Sequence, residues 1–180
     1  MNKPPSVVDR RVIAQLLRTA RSCPSAANAA IAEVGVYRGG TAWYLSLLAR
    51  ARKQELYLYD TFTGIPYRSM IDKHVVGDFG DTSEKEVREY VHGAHVHYRV
   101  GVFPSTFTEQ DKLFSFVHVD CDQFQAVSDC VTTFARQMMK GGIMWFDDYG
   151  WLEGATKAVH VHFHHARLNP CIGGKVFVRF

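Results

Sequence analysis

The stretch from residue 29 to residue 60 constrains this chain most. An apolar run over 29–36 is broken only by Glu33 and passes into the turn Tyr37-Arg38-Gly39-Gly40. A helical pattern over 41–52 follows, and a second apolar run over 55–59 ends on Asp60. Strand, glycine turn, helix, strand and acid, in that order, make a right-handed βαβ unit. In such a unit the glycines let backbone approach a ligand, and the acid can accept from ribose hydroxyls. The pattern predicts a nucleoside-type cofactor site. Glu33 is costly inside an apolar strand unless it has partners. It is either satisfied by N–H groups of the glycine turn or reaches the cofactor.

A chain of 180 residues with 47% hydrophobic content suits a single domain with a sizeable core. The net charge of +3 comes from scattered Lys and Arg rather than a basic run, which argues against a dedicated nucleic-acid surface. Cys23, Cys121, Cys130 and Cys171 show no CxxC spacing and sit among apolar or small residues, as reduced core thiols do. No apolar run approaches a membrane span, and the first residues, with Lys3, Pro4, Pro5 and Asp9, lack a signal-peptide core. The expectation is a soluble, cytoplasmic protein.

Residues 1–8 read as a lead-in, and 9–22 as an amphipathic helix near the sheet edge or the cofactor mouth. Residues 61–83 form a long polar segment, and such a connection usually covers a site. Thr82 or Ser83 can cap a helix reaching about residue 91. A half-exposed strand is expected over 95–100, a buried one over 114–119, a helix over 125–140, a strand over 143–146 and a helix over 152–166. A hairpin pairing Cys171-Ile172 with 175–180 would close the chain.

Two of these strands end on acids, Asp120-Cys121-Asp122 and Asp147-Asp148. The carboxyl ends of strands are where open α/β sheets bind ligands, so the four acids should converge beside the cofactor. They can also be plain helix caps, since Asp148 precedes a helix. As a group they favour a hard cation, Mg²⁺, Mn²⁺ or Ca²⁺, over zinc. His95 and His97 would share a strand face, and His160, His162, His164 and His165 lie on the last helix. No acid or Cys completes a zinc set for either group, so a solvated or packing role is expected.

The blocks EVGVYRGG (33–40), YDTFTGIP (59–66), VGVFPSTF (100–107), HVDCDQF (118–124) and GGIMWFDDYG (141–150) resemble the class I S-adenosylmethionine-dependent methyltransferases. Among these they are most similar to the macrocin and aminocoumarin sugar O-methyltransferase group. The resemblance implies an α/β, Rossmann-like, doubly wound sheet of seven mostly parallel strands with an antiparallel last strand. It also implies that Glu33, Gly35, Tyr37 and Gly39 hold the methionine part of S-adenosylmethionine. Asp60 would take the ribose, with Phe62 beside it, and Gly101, Val102 and Phe103 would border the adenine, with Asp120 also near the cofactor. Asp120, Asp147 and Asp148 would bind Mg²⁺, and Asp122 would be the general base.

Relatives commonly have Tyr where this chain has Phe124, and they carry longer N-terminal and lid segments. Enclosure of the acceptor is therefore expected from the loop 64–81, from a second subunit of a homo-oligomer, or not at all. The expected reaction is transfer of the sulfonium methyl to a hydroxyl of a small molecule, best a vicinal diol on a sugar or a catechol. A nicotinamide-dependent oxidoreductase could use the same βαβ unit, but EVGVYRGG is not a GxGxxG turn and the acids would have no task there. A catalytically inactive S-adenosylmethionine-binding module is the other alternative.

Overall fold

An apolar run such as 29–34 has no polar face to show to water, so it must be covered on both sides. The computed structural model describes residue 4, residues 8–26 and residues 28–180, so most of the expected lead-in lies outside the described residues. Within them the run forms β1 (Ala29–Val34), with every residue buried. It lies between β2 (Glu55–Asp60) and β4 (Leu113–Val119), parallel to both. β3 (Val96–Val100) adds in parallel to β2, and β5 (Met138–Phe146) to β4. The closing hairpin is β6 (Asn169–Pro170) and β7 (Val176–Arg179), with β7 antiparallel to β5.

The seven strands run β3-β2-β1-β4-β5-β7-β6. The winding reverses between β1 and β4, and a crevice opens at such a reversal beyond the carboxyl ends. Strand alternation supplies the two cores. Leu56 and Leu58 face α1 (Arg10–Arg21), α2 (Gly40–Arg52) and α3 (Glu84–Tyr90), whose Leu16, Leu45 and Val87 pack with Ile31 and Trp145. Tyr57 and Tyr59 face the other way, toward α4 (Phe124–Phe134) and α5 (Glu153–Phe163), with Phe134, Val159 and Phe146. The caps follow the sequence: Asp9 accepts from Arg11 N, and Ser83 from Glu86 N. No helix of the described residues is long and apolar enough to cross a membrane.

Several boundaries differ from expectation. β1 stops at Val34 because Gly35, at φ +89°, turns the backbone so that Val36 and Tyr37 N–H reach Asp60. The helix expected over 125–140 ends at Phe134, and a 3₁₀ turn, Ala135–Gln137, leads directly into β5. There the Gln137 amide donates to the carbonyls of Glu109, Gln110 and Lys112. The strand pairing shifts register between Phe114 and Phe116, opposite Gly141 and Gly142, so extended structure continues through an irregularity that sequence period does not show. His95 precedes β3, so it does not share a face with His97. It meets Ser46 O at 3.1 Å, whereas His97 stacks on Tyr57 and pairs with Glu55. The first strand of the hairpin is Asn169–Pro170, because Ile172–Gly174 is a 3₁₀ turn.

Candidate active site

A cavity of about 460 Å³ opens at the carboxyl edge of the sheet, at the winding reversal. Gly35, Tyr37, Asp60, Val102, Phe103, Asp120, Asp122, Asp147 and Asp148 line it; Glu33, Gly39 and Phe62 do not. Val8, Asp9 and Val12 place the start of α1 at its mouth.

The half of the cavity between β1 and β2 is organised by Asp60. Its Oδ2 accepts from Val36 N at 2.6 Å and Tyr37 N at 2.8 Å, and its Oδ1 from Phe62 N at 2.7 Å. Oδ2 has both of its lone pairs engaged, but Oδ1 accepts only one bond, so the side chain fixes the turn and can still accept from a hydroxyl. Gly35 joins the two halves: a Cβ there would lie 1.7 Å from Asp120 O. Gly39 does not line the cavity and carries a packing demand. It is the N-cap of α2 at φ +78°, and a Cβ would meet Val87 of α3 at 2.8 Å, so its small size serves helix packing. Phe62 is buried against Tyr98, turned from the cavity.

Glu33 is partnered by an imidazole rather than by N–H groups of the glycine turn. It lies opposite His118 in the β1–β4 ladder, and its Oε1 is 2.9 Å from His118 Nδ1. His118 Nε2 is in turn 3.5 Å from Asp147 Oδ1. Both Glu33 and His118 are buried, and Glu33 Oε2 has no partner among the described residues. Glu33 is thus linked to Asp147 through an imidazole and does not line the cavity. Burial disfavours a charged His118, but the facing carboxylates of Asp147 and Glu33 outweigh it and raise its pKa well above the ordinary value.

The four strand-end acids do converge. Single oxygens of Asp120, Asp147 and Asp148 all lie within 4.8 Å of one another, and Asp122 N donates to Asp148 Oδ2 at 3.0 Å. Burial and then the charges of Asp147 and Asp148 push Asp120 well up. Burial and the charge of Asp147 bring Asp148 to about 6, and burial with Asp148 and Asp147 brings Asp122 to about 8. Asp147 goes the other way: burial would raise it, but His118 and Lys175 hold it at about 2. A set of hard oxygens that repel one another around one point fits a divalent cation. None of the histidines of α5 belongs to such a group among the described residues; His160 meets Tyr149 at 3.1 Å on the surface.

These directions fix a pH response. Asp148 and Asp122 bind protons more tightly folded than unfolded, so the stability linked to them is complete below about pH 4 and is lost as pH rises through about 6 and 8. Asp147 has the opposite sign and is already ionised throughout that window. Thermal melts in EDTA should therefore show Tm falling between about pH 4 and pH 8. A Tm that stays flat in EDTA would contradict this description of the cluster.

The loop 64–81 closes one side of the cavity and is well anchored. Tyr37 Oη donates to Asp81 Oδ1 at 2.8 Å, Thr82 Oγ1 to Tyr37 O at 2.7 Å, and Ile65 N to Asp78 O at 2.9 Å. Buried Asp72 accepts from Phe124 N at 2.9 Å and so caps α4, which lacks a cap of its own. His74 places Nε2 3.9 Å from Asp122 Oδ1 and Nδ1 3.4 Å from Asp78 Oδ2. His74, His118 and Lys175, which border the acids, were not singled out from the sequence, nor were Tyr67, Gln123 and Trp151 of the cavity wall. The only signal for His118 was a polar residue inside an apolar run, directly before the acids.

A model of the macrocin-O-methyltransferase (TylF) family matches residues 6–172. No curated protein matches the sequence significantly. Among solved structures, the O-methyltransferase NovP superposes with a TM-score of 0.82 at 19% identity, covering 97% of this chain and 81% of NovP. The calicheamicin methyltransferase CalS11 gives 0.78 at 18% identity, covering 93% and 77%. The S-adenosylhomocysteine-bound Podospora anserina methyltransferase PaMTH1 gives 0.58 at 16%, covering 96% and 88%. At these identities the structures speak for the fold, and the family match speaks for the chemistry, which sets the oxidoreductase alternative aside. With the family match spanning nearly the whole chain, the chain belongs to the macrocin-O-methyltransferase (TylF) family and is an S-adenosylmethionine-dependent O-methyltransferase.

Proposed function

We propose that this enzyme methylates one hydroxyl of a small vicinal diol, on a sugar-like or catechol-like ring, with the help of a divalent cation such as Mg²⁺. The observation that carries the reading is the meeting of Asp120, Asp147 and Asp148 within 4.8 Å on the wall of the cavity that Asp60 and Gly35 also line. In this reading Gly35, Tyr37, Asp60, Val102 and Phe103 hold S-adenosylmethionine, and Asp120, Asp147 and Asp148 hold the ion. When bound, the ion supplies Lewis acidity that lowers the pKa of a nearby hydroxyl.

The chain's own residues do the rest. Asp60 fixes the turn and accepts from the ribose, while Asp120, bonded through its N–H to Val34 O at 2.9 Å, sets the distance between the cofactor and acceptor halves. As the acceptor oxygen forms its bond to the methyl carbon, the carbon–sulfur bond breaks and the hydroxyl proton passes to Asp122. Without a cation beside it, Asp122 holds its own proton at neutral pH, with a pKa of about 8. Positive charge held by Asp120, Asp147 and Asp148 would lower that value and leave Asp122 free to take the proton. Ile65, Tyr67 and Phe79 from the loop 64–81 then border the acceptor space.

The reading is tested by incubating the enzyme with methyl-labelled S-adenosylmethionine, Mg²⁺ and matched pairs of acceptors, each a vicinal diol and its singly hydroxylated analogue. Label should enter the diol at least tenfold faster. Equal rates on both members would remove chelation from the account, and tight S-adenosylhomocysteine binding with no transfer to any diol would favour the inactive module.

A further inference from the structure

Asp147 differs from the acids around it because a cation is already paired with it. Lys175 Nζ lies 2.6 Å from Asp147 Oδ2 and 2.6 Å from the main-chain oxygen of the same residue. The lysine side chain is only 13% exposed, and it lines the cavity. It arrives from the 3₁₀ turn ahead of β7, and the mechanism above gives it no task. The other oxygen, Asp147 Oδ1, faces Trp145 Nε1 at 3.4 Å and His118 Nε2 at 3.5 Å. Asp147 is thus compensated on both sides, while Asp120 and Asp148 meet mostly other carboxylates.

We propose that Lys175 is a resident counter-ion of the acidic cluster: a positioning residue that holds Asp147 in place and lowers the affinity of the site for a divalent cation. The proposal rests on the reading of Asp120, Asp147 and Asp148 as metal ligands. An ammonium at 2.6 Å neutralises part of the charge on one ligand and repels an incoming cation, and a pair with so little exposure is weakly screened. The same ammonium offsets the repulsion among three carboxylates, so the site can stand assembled before an ion enters. A lysine suits this role because it is a compact charge on a flexible stem; it can keep its bond to Asp147 O while Oδ2 turns to another partner. The outcome is a site that is preformed and binds its ion exchangeably.

The test is the affinity for Mn²⁺ alone, measured by isothermal titration at fixed pH and ionic strength, without cofactor or acceptor. Lys175→Met should bind Mn²⁺ about tenfold or more tightly than the wild type, and Lys175→Arg, which keeps the charge, within about threefold of it. Lys175→Gln keeps a donor without the charge and should gain affinity as Lys175→Met does; if the Met variant fails to fold, this variant decides. A lysine that only props up Asp147 would, on removal, loosen a ligand and weaken Mn²⁺ binding. Equal or weaker binding in folded, uncharged variants therefore overturns the proposal. If neither the wild type nor any variant binds Mn²⁺, the metal reading fails first and the proposal fails with it.

Discussion

Asp122→Asn is expected to lower kcat by about 10²-fold or more while leaving S-adenosylhomocysteine affinity and the Mg²⁺ concentration for half-maximal rate nearly unchanged. The substitution preserves the local geometry. Asp122 stands at φ +63° between β4 and α4, a left-handed conformation that Asn tolerates about as well as Asp. Its N–H bond to Asp148 Oδ2, 3.0 Å long, belongs to the main chain and survives. What disappears is the ability to take a proton. Asn at Asp120, Asp147 or Asp148 should behave differently: the Mg²⁺ requirement rises, and excess metal restores part of the rate. Steady-state kinetics over a range of Mg²⁺ separates the two patterns. Rescue of Asp122→Asn by added Mg²⁺ would make Asp122 a ligand and leave the base unassigned.

Gly35→Ala should destabilise the fold by about 4 kcal/mol or more and abolish S-adenosylhomocysteine binding. An added Cβ would lie 1.7 Å from Asp120 O and 2.6 Å from Asp120 C, which is backbone at the end of β4 and cannot rotate aside. Relief requires the β1 turn and the β4 terminus to part, so Asp60 loses its N–H partners and Asp120 loses its place among the acids. Positive φ alone costs much less, about 1–2 kcal/mol. Gly77 isolates that smaller cost, since it sits at φ +91° with nothing within 4 Å of a built Cβ. Urea denaturation of Gly35→Ala and Gly77→Ala should separate the two costs. Equal midpoints would mean that the close approach of β1 and β4 is not what demands glycine.

The parts of the site that lie on single strand ends were legible in the sequence. β1, β2, β4 and β5 are apolar runs that stop at a glycine or an acid, so Gly35, Asp60, Asp120 and Asp147 could be placed at one edge before any contact was known. What depends on lateral register was not legible. Glu33 meets His118 because β1 and β4 pair in one register, and a one-residue slip would send the two side chains to opposite faces. Lys175 returns to the acids only through the antiparallel closure of β7 on β5, which no local pattern dictates. The packing demand on Gly39 was hidden for a related reason. Its demand for a small residue comes from Val87, which lies far along the chain and across a helix contact.

The most direct measurement is the methyl-transfer rate of the wild-type enzyme on a vicinal diol before and after EDTA, followed by excess Mg²⁺. The account predicts a fall of at least about 10²-fold with the chelator, full return with Mg²⁺, and S-adenosylhomocysteine affinity within about threefold throughout. An unchanged rate in EDTA would contradict it.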